Sequence, residues 1–108
     1  MTSLPSRRYA CGIDDLKLGS SMTVAGEPAV ALFRTTADEF YATADNCTHE
    51  NWSLGEDSDL DGNEVICPLH MACFDIRTGD ALCLPATVNL HTYPVEIDDD
   101  GNVFVVVS

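Results

Sequence analysis

The chain has 108 residues, enough for one domain with a modest core, and 18 acidic against 5 basic residues give it a formal net charge of −13. Phosphate binding draws on clustered Lys and Arg, so this balance speaks against nucleic acid and favours docking on a basic protein face. No apolar run approaches the roughly 20 residues that span a bilayer, so no membrane association is expected.

Residues 9–13 read as a short strand, followed by a turn region at Asp14, Asp15 and Gly19 and a second β segment at 21–24. Gly26-Glu27-Pro28 marks a tight connection, and Ala29-Val30-Ala31-Leu32-Phe33 is the clearest early strand. Residues 35–38 are a turn and 39–44 another strand. The stretch 53–63 is polar and acidic and suggests no long element. Strands at 64–66 and 74–76 follow, with a turn at Thr78-Gly79-Asp80. β character resumes at 81–84, is broken by Pro85-Ala86, and returns at 91–97 and 103–107 around the Asp98-Asp99-Asp100-Gly101 turn. None of these segments has a sustained helical period. The pattern predicts an all-β, antiparallel domain over 1–108, with a small metal-binding lobe over about 45–86 set into a larger, sandwich-like base.

Ser6-Arg7-Arg8-Tyr9 has a superficial likeness to a twin-arginine export signal. Two carboxylates, Asp14 and Asp15, fall where an apolar run would be needed, so a cytoplasmic protein is expected. In a reducing compartment the five cysteines are metal ligands or buried thiols rather than disulfides. Cys11, Cys73 and Cys83 are read as buried or partly buried thiols, and His91 as structural or exposed.

Two short stretches carry the chemistry, Cys47-Thr48-His49 and Cys67-Pro68-Leu69-His70. Each offers one thiolate and one imidazole at close range. Two equivalent halves of this kind suit a centre that holds two metals unequally, as in a Rieske-type [2Fe-2S] cluster, where two cysteines ligate one iron and two histidines the other. A zinc site of Cys2His2 composition uses the same donors, though the spacing fits no finger and the charge opposes nucleic-acid use. A blue-copper site from Cys67, His70 and Met71 would leave Cys47 without purpose. The acidic runs at 56–61 and 98–100 lack the ordered pattern of a calcium-binding loop and read as solvated turns. Nothing resembles a phosphate cradle or a dinucleotide motif.

With Phe74-Asp75-Ile76-Arg77-Thr78-Gly79 and Thr92-Tyr93-Pro94-Val95 added to the two motifs, the chain resembles, over nearly its whole length, the Rieske ferredoxins that serve bacterial aromatic-ring-hydroxylating dioxygenases. Ala81-Leu82-Cys83-Leu84-Pro85 and Asn89 look most like the naphthalene-type branch. The resemblance implies the Rieske iron-sulfur fold, one [2Fe-2S] cluster on Cys47, His49, Cys67 and His70, and a proline-containing segment near Pro85 covering it. It also implies a monomeric one-electron carrier, not itself an enzyme, between an NAD(P)H-dependent ferredoxin reductase and a terminal oxygenase. The small subunit of an assimilatory nitrite reductase is the alternative within the same fold, and a zinc-stabilised binding module the alternative outside it.

The family often has glycine after each ligand histidine, where this chain has Glu50 and Met71. Respiratory-type Rieske proteins tie their ligand loops with a disulfide, and the corresponding positions here are Trp52 and Leu69. Those proteins also aim serine and tyrosine hydroxyls at cluster or cysteine sulfur, where this chain has Ala72 and Phe74. Fewer hydrogen bonds to sulfur stabilise the reduced cluster less, which places the potential near the low end of the family range of about −150 to +300 mV.

Overall fold

The structure is a computed structural model and describes residues 6–26, 28–46, 53–56, 58–68, 72–83 and 88–107. In chain order the strands are β1 (Ser6–Gly12), β2 (Ser20–Val24), β3 (Val30–Arg34), β4 (Phe40–Ala44), β5 (Asp59–Asp61), β6 (Glu64–Cys67), β7 (Ala72–Asp75), β8 (Ala81–Cys83), β9 (Thr92–Tyr93), β10 (Val95–Ile97) and β11 (Asn102–Val107). They form three antiparallel sheets, β1-β11-β10, β2-β3-β4-β9 and β5-β6-β7-β8.

The second sheet is the middle of the molecule, and β3 shows why. Its first four residues are apolar and buried, and side chains alternate between the two faces of a strand. Val30 and Leu32 pack with Val103, Val105 and Cys11 of the first sheet. Ala31 and Phe33 point the other way and pack with Val65, Cys67, Ala72 and Phe74 of the third. One strand therefore carries two cores. The all-β, antiparallel expectation holds, with β5–β8 forming a sheet of their own beside the other two.

Several local expectations are revised. Residues 13–15 form a 3-10 turn instead of ending the first strand, and Arg34 ties it to β3 by donating to the Ile13 and Leu16 carbonyls at 2.7 Å each. The acidic stretch 53–63 contains β5. Asp59 and Asp61 face solvent while Leu60 packs toward the core, and Gly62-Asn63 makes the two-residue turn into β6, with Gly62 at φ 61°. β7 begins at Ala72, two residues before the predicted start. The predicted run 91–97 divides at Pro94, which has no N–H to give to a ladder: β9 pairs with β4 and β10 with β11. The chain changes sheet there.

Cys73 and Cys83 correct the reading of these residues as thiols. They are direct partners across β7 and β8, Cα to Cα 5.0 Å, and form a disulfide. Redox compartment suggested thiols, but cross-strand register sets the sulfurs side by side, within the distance a bridge requires. Cys11 does match its reading. It is buried, and desolvation, with Asp15 adding, pushes its thiol pKa up, which leaves it unreactive. His91 is exposed, with its ring against Tyr93. Among the described residues no helix is long and apolar enough to cross a membrane.

Candidate metal centre

The second motif is placed by a hairpin. β6 carries Val65 and Cys67 on its core face, both at 0 % exposure, and Cys67 is the last residue of the strand. Pro68 follows and cannot extend the ladder as a donor. The chain returns at once, since Cys67 is in register with Ala72 at the start of β7. The thiol of Cys67 thus sits at the end of a strand pair, its root in an apolar cluster with Ala72, Phe74 and Leu54.

The first motif is approached differently. Residues 45–46 and 53–55 flank it, and a bridge between Asn46 and Ser53 draws the two flanks together. The Asp45 carboxylate is buried and spends its Oδ1 on both sides: Gly55 N–H donates to it at 2.8 Å and the Thr23 hydroxyl at 3.0 Å. Leu54 N–H donates to the Asp45 carbonyl at 2.8 Å, and the Ser53 and Thr23 hydroxyls lie 3.0 Å apart. Gly55 is required here. A Cβ would meet the Met22 carbonyl oxygen at 2.6 Å and press on the Thr23 hydroxyl. Sequence reasoning passed over Asp45, Thr23 and Gly55. The available signal was a carboxylate two residues before a candidate ligand; its partners lie too far along the chain to be read from spacing.

Of the four candidate ligands, Cys67 lies among the described residues, and Cys47, His49 and His70 lie outside them, as do Glu50, Trp52, Leu69, Met71 and Pro85. The flanks can still be compared. Leu54, which follows the first motif, and Cys67 and Ala72, which bracket the second, share one buried cluster. A residue flanking the first motif and the two ends of the second therefore share one apolar floor. A buried thiolate donor at that floor fits a soft, sulfur-ligated iron, and the disulfide at Cys73–Cys83 does not consume it.

Downstream, Asp75, Arg77 and Gly79 shape the turn after β7. Arg77 donates to both Asp75 oxygens, at 3.1 and 2.9 Å, and this hydrogen bonding holds the Asp75 carboxyl below its usual range. Gly79, at φ 83°, passes so close to the Leu90 carbonyl that a side chain there has no room. Its own carbonyl accepts from Leu90 N–H at 2.7 Å. Asn89 Oδ1 accepts from Ala81 N–H at 2.8 Å, so the ends of the 81–89 stretch are clamped. The 98–100 run is a self-satisfied turn. Asp98 Oδ1 accepts from the Asp100 and Asn102 N–H groups, and those bonds, Asn102 foremost, lower its pKa.

The family model for the Rieske [2Fe-2S] domain matches residues 6–94. The chain belongs to the Rieske [2Fe-2S] family. This Rieske protein is 45% identical, over 95% of its length and 96% of the relative's, to the 3-phenylpropionate/cinnamic acid dioxygenase ferredoxin subunit of Photorhabdus laumondii. It also superposes, with TM-score 0.82 and 37% identity over 90% of its length and 98% of the other chain, on a chain from a complex of reduced oxygenase and oxidised ferredoxin in carbazole 1,9a-dioxygenase. A chain described as an NADH-dependent nitrite reductase small subunit from Mycobacterium tuberculosis superposes with TM-score 0.87 over 98% of each chain at 20% identity. That likeness shows the fold alone, and the higher score at lower identity illustrates that this fold does not choose a function. The Rieske protein is a ferredoxin subunit of the aromatic-dioxygenase type, an electron carrier to a terminal oxygenase and not an enzyme in itself. Its cofactor is a Rieske-type [2Fe-2S] cluster, which supplies one-electron transfer when bound.

Proposed function

We propose that Cys47 and Cys67 ligate one iron of the cluster and His49 and His70 the other, within a cluster-binding subdomain over about 45–86 of a single domain spanning 1–108. The observation that carries this reading is the shared burial of Leu54, Cys67 and Ala72, which supports a common site for the two candidate motifs. The cysteine iron is then the deeper one. Each histidine uses one ring nitrogen for iron and turns the other toward solvent, where it serves as electron port to a partner.

The electrons come from an NAD(P)H-dependent ferredoxin reductase and leave one at a time. The carrier works as a monomer in the cytoplasm, and its acidic surface steers it to basic partner faces. It never meets the aromatic substrate, so similarity to phenylpropionate/cinnamate ferredoxins and the naphthalene-type look of residues 81–85 and Asn89 bear on lineage, not on chemistry done here. The cluster has a low potential, because Ala72 and Phe74, both fully buried beside Cys67, bring no hydroxyl toward sulfur.

Reconstitution tests the role. With NADH alone the iron stays oxidised; with a ferredoxin reductase it is reduced, and adding an aromatic-ring oxygenase then reoxidises it. Rapid reduction by NADH without a reductase would contradict the carrier reading. Protein-film voltammetry should place the midpoint well below about +100 mV, and a higher value would contradict the sulfur-environment account.

A further inference from the structure

A second set of donors converges on the β5–β8 sheet, away from the ligand motifs. One donor atom each from Glu64 of β6, Cys73 of β7 and Cys83 of β8 lie within 4.8 Å of one another. In register, Ile66 pairs with Cys73 and Cys67 with Ala72, so strand alternation puts Cys73 on the face opposite Cys67. The group is separate from the floor of the cluster site. Cys73 is buried, Cys83 reaches solvent, and Glu64 is exposed. Among the described residues no Lys or Arg forms an ion pair with Glu64. The Glu64 carboxylate therefore stands beside two sulfurs with no ion-pair partner among the described residues.

We propose that Cys73, Cys83 and Glu64 form a redox-convertible site for a thiophilic divalent cation of the zinc type, closed as the disulfide and open as the dithiol. Opening needs a dithiol reductant. Its thiolate attacks the accessible Cys83 Sγ, the S–S bond breaks, and Cys73 leaves with the electron pair and takes up a proton. The reductant's second thiol then displaces Cys83, so the protein disulfide is reduced by two electrons and the reductant is oxidised to its own disulfide. On metal binding both thiols lose their protons, two metal–sulfur bonds form, and the Glu64 carboxylate is the third ligand, with water completing a tetrahedral shell. Two sulfurs at the usual zinc–sulfur distance of about 2.3 Å stand about 3.7 Å apart, a separation that χ1 rotation supplies across paired strands. Two thiolates select a soft or borderline ion over Ca2+ or Mg2+.

The test uses cluster-loaded protein, reduced with a non-chelating phosphine under anaerobic conditions and titrated with Cd2+, then Zn2+ by equilibrium dialysis. The reduced protein should bind one Cd2+ with a thiolate-to-metal charge-transfer band, and the disulfide form should show none. The visible absorption of the cluster should persist throughout. Cys83→Ser and Cys73→Ser should each abolish the band, and Glu64→Gln should keep it while weakening affinity on the order of tenfold. Equal binding by oxidised and reduced protein, a band that grows only as the cluster absorption falls, or an unchanged affinity in Glu64→Gln would each overturn the proposal. Cluster absorption reports on the ferredoxin reading separately, so failure of one is not failure of the other.

Discussion

The flanks of the two ligand motifs are held by different physics. Around 67–72 the support is apolar: Cys67, Ala72 and Phe74 are fully buried, and the strand pair closes on itself. Around 45–55 it is polar, one buried carboxylate tying Gly55 and Thr23 to the chain that enters the motif. Apolar packing is non-directional and tolerates adjustment, whereas a buried charged acceptor fixes position and is costly when its partners are left unpaired. The first motif should depend on a few bonds, the second on volume.

The largest expected effect is on the apolar side. Phe74→Ala removes a fully buried ring and should cost about 3–5 kcal/mol, read as a lower urea midpoint. Asp45→Ala comes next, at about 2–3 kcal/mol, since it strands the Gly55 N–H and the Thr23 hydroxyl. Asp45→Asn keeps an acceptor and should restore most of that. The contrast sharpens if cluster retention is followed beside unfolding. Asp45→Ala should release iron well before it unfolds, while Phe74→Ala should lose both together. Parallel loss in both variants would break the comparison.

Gly55→Ala should come next, at about 1–3 kcal/mol of overpacking, and should act on the first motif alone. The smallest effect is the pH dependence from Asp75. Its folded pKa is depressed, so its contribution is present above the unfolded value of about 3.9 and is lost as pH falls through the folded one. Arg77→Ala should flatten that acid limb. The pair is partly exposed and screened by solvent, so the change should be small, visible as a shift in urea midpoints on the acid side of neutrality.

Much of the base was legible because its signals are local. Residues 30–33 and 103–107 are apolar runs bounded by turns, and they became β3 and β11 nearly as read. The two candidate donor motifs stand out in the sequence for the same reason, each setting a thiol and an imidazole a few residues apart. What escaped depends on contacts distant in sequence. β5 hid among carboxylates because alternation over three residues is a weak pattern, though its Gly62-Asn63 turn was there to be read. The Cys73–Cys83 bridge required knowing that β7 and β8 pair, and in which register. The role of Asp45 required Thr23 and Gly55 to arrive from elsewhere in the chain.

The central claim is that two iron atoms are bound unequally, by sulfur on one side and imidazole on the other. Electron paramagnetic resonance of the reduced protein, with pulsed detection of coupled nitrogen, tests it most directly. One [2Fe-2S] spin per chain coupled to two imidazole nitrogens is the predicted result. A reduced spectrum with no nitrogen coupling, or a colourless protein containing zinc and no labile sulfide, would contradict it.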